Sequence, residues 1–315
     1  MSVSYYAQTG RKHAAGKLLK KKFLLSWRLY ILLLPAIIMH LIFCYAPMYG
    51  VQIAFKEYMT TTGIIGSPWI GLHNFRRFLN YSGMWKLFKN TLTLSLYGYV
   101  GTPITIFIAL MLNELNPLWF KKTVQMVSYA PHFLSTVVVC SMLTLFTNRT
   151  GGVFNNIIEA LGGERRDFLS IPEYFPSLYV WSGVWQGVGW GTIIYLASLS
   201  NVPQEQIEAS QIDGANKLQT IWHVKLPSIL PTIVILLILS TGGIMNVSFE
   251  KTFLLKNDLN AEKSTVISIY TYQIGLMDGK FSYSAAIGLF NNIINIFIMI
   301  VVNKVAKLVG EISIW

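Results

Sequence analysis

Charge is what this sequence has least of. Asp, Glu, Lys and Arg together make up 12% of its 315 residues and apolar residues 53%, whereas about 25% of a soluble domain is charged. The scarcity is also patterned. Windows without a single charge cover 29–55, 90–113, 123–148, 174–204, 226–249 and 281–303, and each exceeds the roughly 20 residues a helix needs to cross hydrocarbon. A soluble globular domain is thereby excluded. The expected fold is an all-α integral membrane protein with six transmembrane helices, at about 29–55, 90–113, 123–148, 174–200, 228–249 and 281–303. Two further uncharged windows do not qualify: 58–75 is rich in Thr, Gly and Pro, and 264–277 is short and polar enough to read as an outer-face helix.

Other absences narrow the chemistry. No G-x-x-x-x-G-K-S/T phosphate loop occurs, so the chain cannot itself be an ATPase. No Cys/His cluster has metal-ligand spacing, and the five histidines, at 13, 40, 73, 132 and 223, fall in separate segments. His40, in the middle of the first span, is expected as a neutral group hydrogen-bonded between helices rather than as a ligand. No G-x-S-x-G elbow or acidic pair lies in the spans, which removes the simplest intramembrane hydrolases. A proton-coupled secondary transporter usually needs a titrating carboxylate there, and the windows contain none. The two cysteines, Cys44 and Cys140, lie in spans, where they are expected as small apolar residues without a disulfide. The first apolar run is too long for a cleavable signal peptide, and no internal repeat is visible.

What charge there is, is mostly positive. The net charge of +11 would suggest nucleic acid in a soluble protein, but seven of the 25 Lys and Arg residues precede the first span. That arm, residues 1–28 with Lys20, Lys21, Lys22 and Arg28, is what the positive-inside rule and anionic lipid would hold in the cytoplasm. Summed over all loops, thirteen Lys and Arg fall inside and twelve outside, so the N-terminal cluster alone carries the orientation. Six spans then place the C-terminus in the cytoplasm as well.

The fourth span is the most aromatic. Trp181 and Trp185 share a face, and Gly183, Gly187 and Gly191 are spaced for close helix approach. Aromatic rings stack on the apolar faces of sugars, while amides and hydroxyls bond their hydroxyl groups. Candidates for such a path are Trp181, Trp185, Gln186, Trp190, Tyr195, Asn246, Asn291, Asn292 and Asn295. Taken singly, each has an alternative use in helix packing or an interhelical hydrogen bond. Glu250 and Lys251 read as surface charges at the outer end of the fifth span. The loop 149–173 reads either as a surface meeting a substrate carrier or as a solvated connector.

The chain is organised around Glu208–Pro231. Asn201 and Gln204 have the spacing of a capping box, which predicts a helix from about Val202 to Ile212 that Asp213-Gly214 breaks. A second short helix is expected to follow, with Leu218, Ile221 and Trp222 on one face. Two helices meeting at a glycine form a compact knob able to fill a partner's groove. This stretch resembles the EAA loop of permease subunits of ATP-driven importers, through Glu208, Ala209, Asp213, Gly214, Ala215, Leu226 and Pro227. Ser210 stands where a second Ala is usual and Val224 where Ile is usual. An ordinary amphipathic loop helix would have to reproduce several residue types and two gaps by coincidence. The string Gly71-Leu72-His73-Asn74-Phe75, ahead of an expected half-buried surface helix with Arg76, Arg77, Phe78, Trp85 and Phe88, and the pair Asn90-Thr91 are similar to sugar-importer permeases.

From residue 25 or so onward, the resemblance implies a type I ABC importer permease-like fold with cytoplasmic termini, a permease domain over 29–310 and a cytoplasmic coupling loop over 201–227. It assigns ATPase coupling to Glu208, Ala209, Ser210, Asp213, Gly214, Ala215, Leu226 and Pro227. It implies a second homologous permease, two ATPase subunits and an extracytoplasmic solute-binding protein as partners. This chain would then be no enzyme and carry no cofactor, with ATP and magnesium held by the ATPase. Oligosaccharide or polysaccharide fragments are the expected cargo. The alternatives are a permease for another solute, or a non-transport scaffold or sensor that docks an ATPase.

Overall fold

The computed structural model of the chain describes residues 26–310 and Ile314, so Lys20, Lys21 and Lys22 lie outside the described residues. The main helices are α1 (Trp27–Phe55), α2 (His73–Leu79), α3 (Met84–Glu114), α4 (Leu118–Phe133), α5 (Thr136–Thr147) and α6 (Val153–Ala160). They continue as α7 (Phe175–Leu199), α8 (Gln204–Ile212), α9 (Lys217–Thr241), α10 (Phe249–Leu255), α11 (267–277) and α12 (Phe281–Leu308). Among the described residues the only β pairing is an isolated bridge between Lys56 and Trp69.

Four continuous helices, α1, α3, α9 and α12, are long and apolar enough to cross a membrane. The expected third span is instead two helices, α4 and α5, that meet at 96°. Pro131 lacks the donor an α-helix needs, and Leu134 is extended at φ −75° and ψ 136°. Ser135 then restarts the helix, its side chain accepting from Val138 N at 3.3 Å. Helix α7 has 25 residues, but its glycines, tryptophans and Gln186 dilute its hydropathy. It is the hub of the bundle, packing on α3, α4 and α9.

Two expected boundaries shift. The second spanning helix begins at Met84 rather than 90, so Trp85 and Phe88 belong to it, and α2 alone is the separate short helix, with its Phe78 buried. The fifth ends at Thr241 rather than 249. Gly242-Gly243 follow, the chain leaves the helix, and α10 folds back against α5 and α7. The window 264–277 does form a helix, α11, but Ile267 and Ile269 are buried, so it is a core element.

Several connections between the helices are tied by amides and a hydroxyl. Asn74 donates to Ala54 O at 3.1 Å and Lys56 O at 3.4 Å. Asn90 donates to Glu262 O and Thr265 O at 2.8 and 3.0 Å, and the Thr91 hydroxyl accepts from Ile267 N at 3.0 Å. The loop 149–173 is held by Asn155, whose Nδ2 reaches Thr147 O, Asn148 O and Arg166 O. Beside it Arg165 bonds Glu159 at 2.6 Å and pulls that carboxyl below its ordinary range. Residues 27–49 of α1 are all exposed. His40 accordingly does not sit between helices of this chain; it faces outward, edge-on to Tyr45 at 5.4 Å. Cys44 is exposed and Cys140 buried, both free.

Candidate functional site: the inner loop and the cavities of the bundle

The loop 201–227 folds by its own hydrogen bonds. Helix α8 starts at Gln204 after Pro203 with no side-chain cap, so the Asn201 capping box does not form. Gln204 Nε2 instead donates to Glu208 Oε1 at 3.1 Å. The capping box lies one helix later, where Gln219 N donates to Asn216 Oδ1 at 2.9 Å and Asn216 N to Gln219 Oε1 at 2.8 Å. Between them α8 closes in a Schellman turn: Ala215 N donates to Ser210 O and Gly214 N to Gln211 O, at 2.9 and 3.1 Å. Gly214 is left-handed at φ +83°. Ser210, where alanine is usual, bonds Thr220 Oγ1 at 3.2 Å and so links the two arms.

The second arm is not a separate helix. It runs through a π turn at Ile221–Lys225 directly into α9. Leu218, Ile221 and Trp222 have unlike surroundings: Ile221 is buried, whereas Leu218 and Trp222 are 73% and 66% exposed. Ile212, at 87%, joins them to give the knob an apolar tip. Glu208, Ala209, Asp213, Gly214 and Pro227 are exposed. Ala215 is half-buried, and Leu226 packs on the inner cluster of Ala109, Leu110, Tyr195, Leu199, Ile221 and Ile229. Lys225, absent from the sequence-based set, ties the loop to the end of α3 by an ion pair with Glu114.

Seven of the nine path candidates are distributed over three cavities, and Trp190 and Asn295 line none of these. Trp181 and Trp185 do share a face, lining an apolar cavity of about 470 Å³ against α5 and α6, and Trp181 Nε1 donates to Tyr97 Oη at 2.8 Å. Asn246, Asn291 and Asn292 line a second, of about 460 Å³. There Asn295 and Asn291 also repair the broken end of α9: Met245 N donates to Asn295 Oδ1 at 2.8 Å, and both amide groups donate to Asn246 Oδ1. Trp190 stacks on His132 at 4.6 Å.

Gln186 and Tyr195 line the third cavity, of about 550 Å³, between α3, α7 and the segment leading into α10. Gln186 Nε2 also satisfies Leu134 O at 2.8 Å, the carbonyl freed where α4 and α5 part. Thr102, Thr105, Thr136 and Ser248 add hydroxyls. The expected glycine groove lies here and is made in part: a Cβ on Gly191 would stand 3.0 Å from Thr105 Cγ2 of α3, whereas one on Gly187 would meet nothing within 4 Å. A still closer contact is made at Gly189, where a Cβ would stand 1.9 Å from Ser128 O of α4. Lys251 is not a surface charge. It is 6% exposed and donates to Tyr179 O at 2.7 Å. Burial pushes its ammonium down to about 8, countered by Cys140.

A bent third element, a buried glycine-rich hub and a self-capped inner knob are accompanied by sequence likeness of the same extent. Residues 101–311 match the family described as binding-protein-dependent transport system inner membrane component. The chain belongs to that family. The permease is 40% identical over 306 residues to the polygalacturonan/rhamnogalacturonan transport system permease protein YteP of Bacillus subtilis (strain 168), covering 97% of this chain and 94% of that one. It is also 40% identical over 280 residues to Protein LplB of the same organism, with 89% and 88% covered. Among solved structures it is similar to a chain of a bacterial ABC transporter involved in the import of the acidic polysaccharide alginate, at 36% identity and TM-score 0.84, covering 93% of this chain and 99% of that one. The same likeness holds to the alginate transporter in complex with alginate pentasaccharide-bound periplasmic protein.

Proposed function

We propose that this permease forms half of the path of an ATP-driven importer of oligosaccharides or polysaccharide fragments. The observation that carries the reading is a single unbroken helix, α9, that starts in an exposed apolar knob and ends beside two cavities lined by hydroxyls and amides. The knob has what a docking element needs: a rigid turn at Gly214, flanking charges at Glu208 and Asp213, and apolar tips at Ile212 and Leu218. An ATPase subunit, holding ATP and magnesium, is its partner. A second, similar permease supplies the other half of the path, with its own ATPase, and a solute-binding protein delivers sugar from outside.

Six crossings follow when the bent pair α4–α5 counts as the third and α7 as the fourth. Both termini then lie on the side of the coupling loop, in the cytoplasm. Closure of the ATPases on ATP moves the docked knobs together and turns the cavity from inward-facing to outward-facing by rigid-body movement. The test is uptake in proteoliposomes that contain this permease, the second permease and the ATPase. Labelled oligosaccharide should accumulate only with ATP and loaded binding protein, and accumulation without either would overturn the reading.

A further inference from the structure

Lys251 lines the cavity of about 550 Å³ and is the one charged residue among those that line it. No carboxylate of the described residues pairs with it; the ion pairs there are Arg165–Glu159, Lys225–Glu114 and Lys280–Asp278. The contacts of its ammonium are neutral: the Tyr179 carbonyl at 2.7 Å and the Tyr179 ring, whose centroid is 4.8 Å from Nζ. An ammonium carries three N–H donors, and a buried charge is costly unless it is paired. Holding a carbonyl needs only a neutral donor, so the charge is surplus to a purely structural tether.

The geometry leaves that charge within reach. Gly183, on the same wall, would place a Cβ 3.0 Å from Nζ, so the absence of a side chain there keeps the ammonium open to the cavity. The same cavity is lined by Thr102, Thr105, Gln186 and Ser248, groups suited to ring hydroxyls. The volume lies within the roughly 300–1,000 Å³ usual for small-molecule sites.

We propose that Lys251 makes this cavity a subsite for a sugar carboxylate, so that the permease favours oligosaccharides containing uronic acids over neutral ones. The inference rests on the import reading above. It accords with the acidic polysaccharide handled by the structurally similar transporter. A charge-assisted hydrogen bond forms only with the carboxylate, whereas the hydroxyl contacts are common to acidic and neutral sugars.

The probes are trigalacturonic acid and its fully methyl-esterified form, which has the same length and lacks charge. Initial uptake of each is measured in proteoliposomes with the complete transporter, for the wild type and for Lys251→Gln, Lys251→Met and Lys251→Arg. Selection by the binding protein cancels when the acid-to-ester ratio of a variant is divided by that of the wild type. The ratio should fall at least about tenfold in Lys251→Gln and Lys251→Met and be kept largely in Lys251→Arg. An unchanged ratio in Lys251→Gln overturns the proposal. So does an equal fall for both probes in a complex that still assembles by size exclusion, because that is the signature of a tether. If a variant fails to assemble, the wild type still decides, since uptake of the ester as fast as the acid also overturns the proposal. A wild type that assembles with its ATPase and imports no oligosaccharide overturns the import reading instead.

Discussion

Gly214 sits at φ +83° with open space where a Cβ would be, so the cost of replacing it is conformational rather than steric. A β-branched residue there pays about 1–2 kcal/mol to stay left-handed or, more cheaply, opens the Schellman turn and reorients the knob. Gly214→Val should therefore insert normally, lose uptake, and leave ATP hydrolysis unresponsive to loaded binding protein; normal transport would refute the coupling role. The Asp213-Gly214 turn was legible in the sequence because glycine after a helix has one common use. Lys251 was not legible. Its place depends on Gly242-Gly243 ending α9 early, and a window that counts charges reads through a glycine pair without registering the bend.

Among the elements, α7 shows how two glycines of one helix can do unlike work. Gly189 presses on Ser128 O of α4, and Gly187 faces the open cavity. Gly189→Ala has to separate two backbones and should cost about 3 kcal/mol or more, read as a lower detergent melting temperature or loss of assembled complex. Gly187→Ala should leave both unchanged. Sequence spacing singled out Gly183, Gly187 and Gly191, because periodicity shows which residues share a face but not what lies opposite. For the same reason the window 123–148 concealed the 96° bend between α4 and α5. Pro131 marked the place, but the carbonyl of Leu134 finds its donor on Gln186, a helix away.

For the whole molecule, the count of crossings decides on which side each end emerges. Six place both termini with the coupling loop, whereas an odd number would separate them. Cytoplasm-active reporters fused to either end should therefore both be active, and activity at one end alone would refute the six-span arrangement. The all-α fold and the glycine turn of the loop 201–227 were readable from charge and spacing, and the uncapped start of α8 was not. The cavities were not: the one of about 550 Å³ gathers residues from Gly98 to Lys251, and periodicity along a helix does not show what packs opposite it. Helix α9 has 25 residues from Lys217 to Thr241, a rod of about 37 Å at 1.5 Å per residue, with the apolar knob at one tip and the glycine pair at the other. Pivoted at its middle, a tilt of about 10° carries the two tips about 3 Å in opposite directions. In the assembly proposed above it would act as a seesaw with nearly equal arms: a partner that draws the knob toward the centre would push the segment bearing Asn246 and Ser248 away from it by a similar distance.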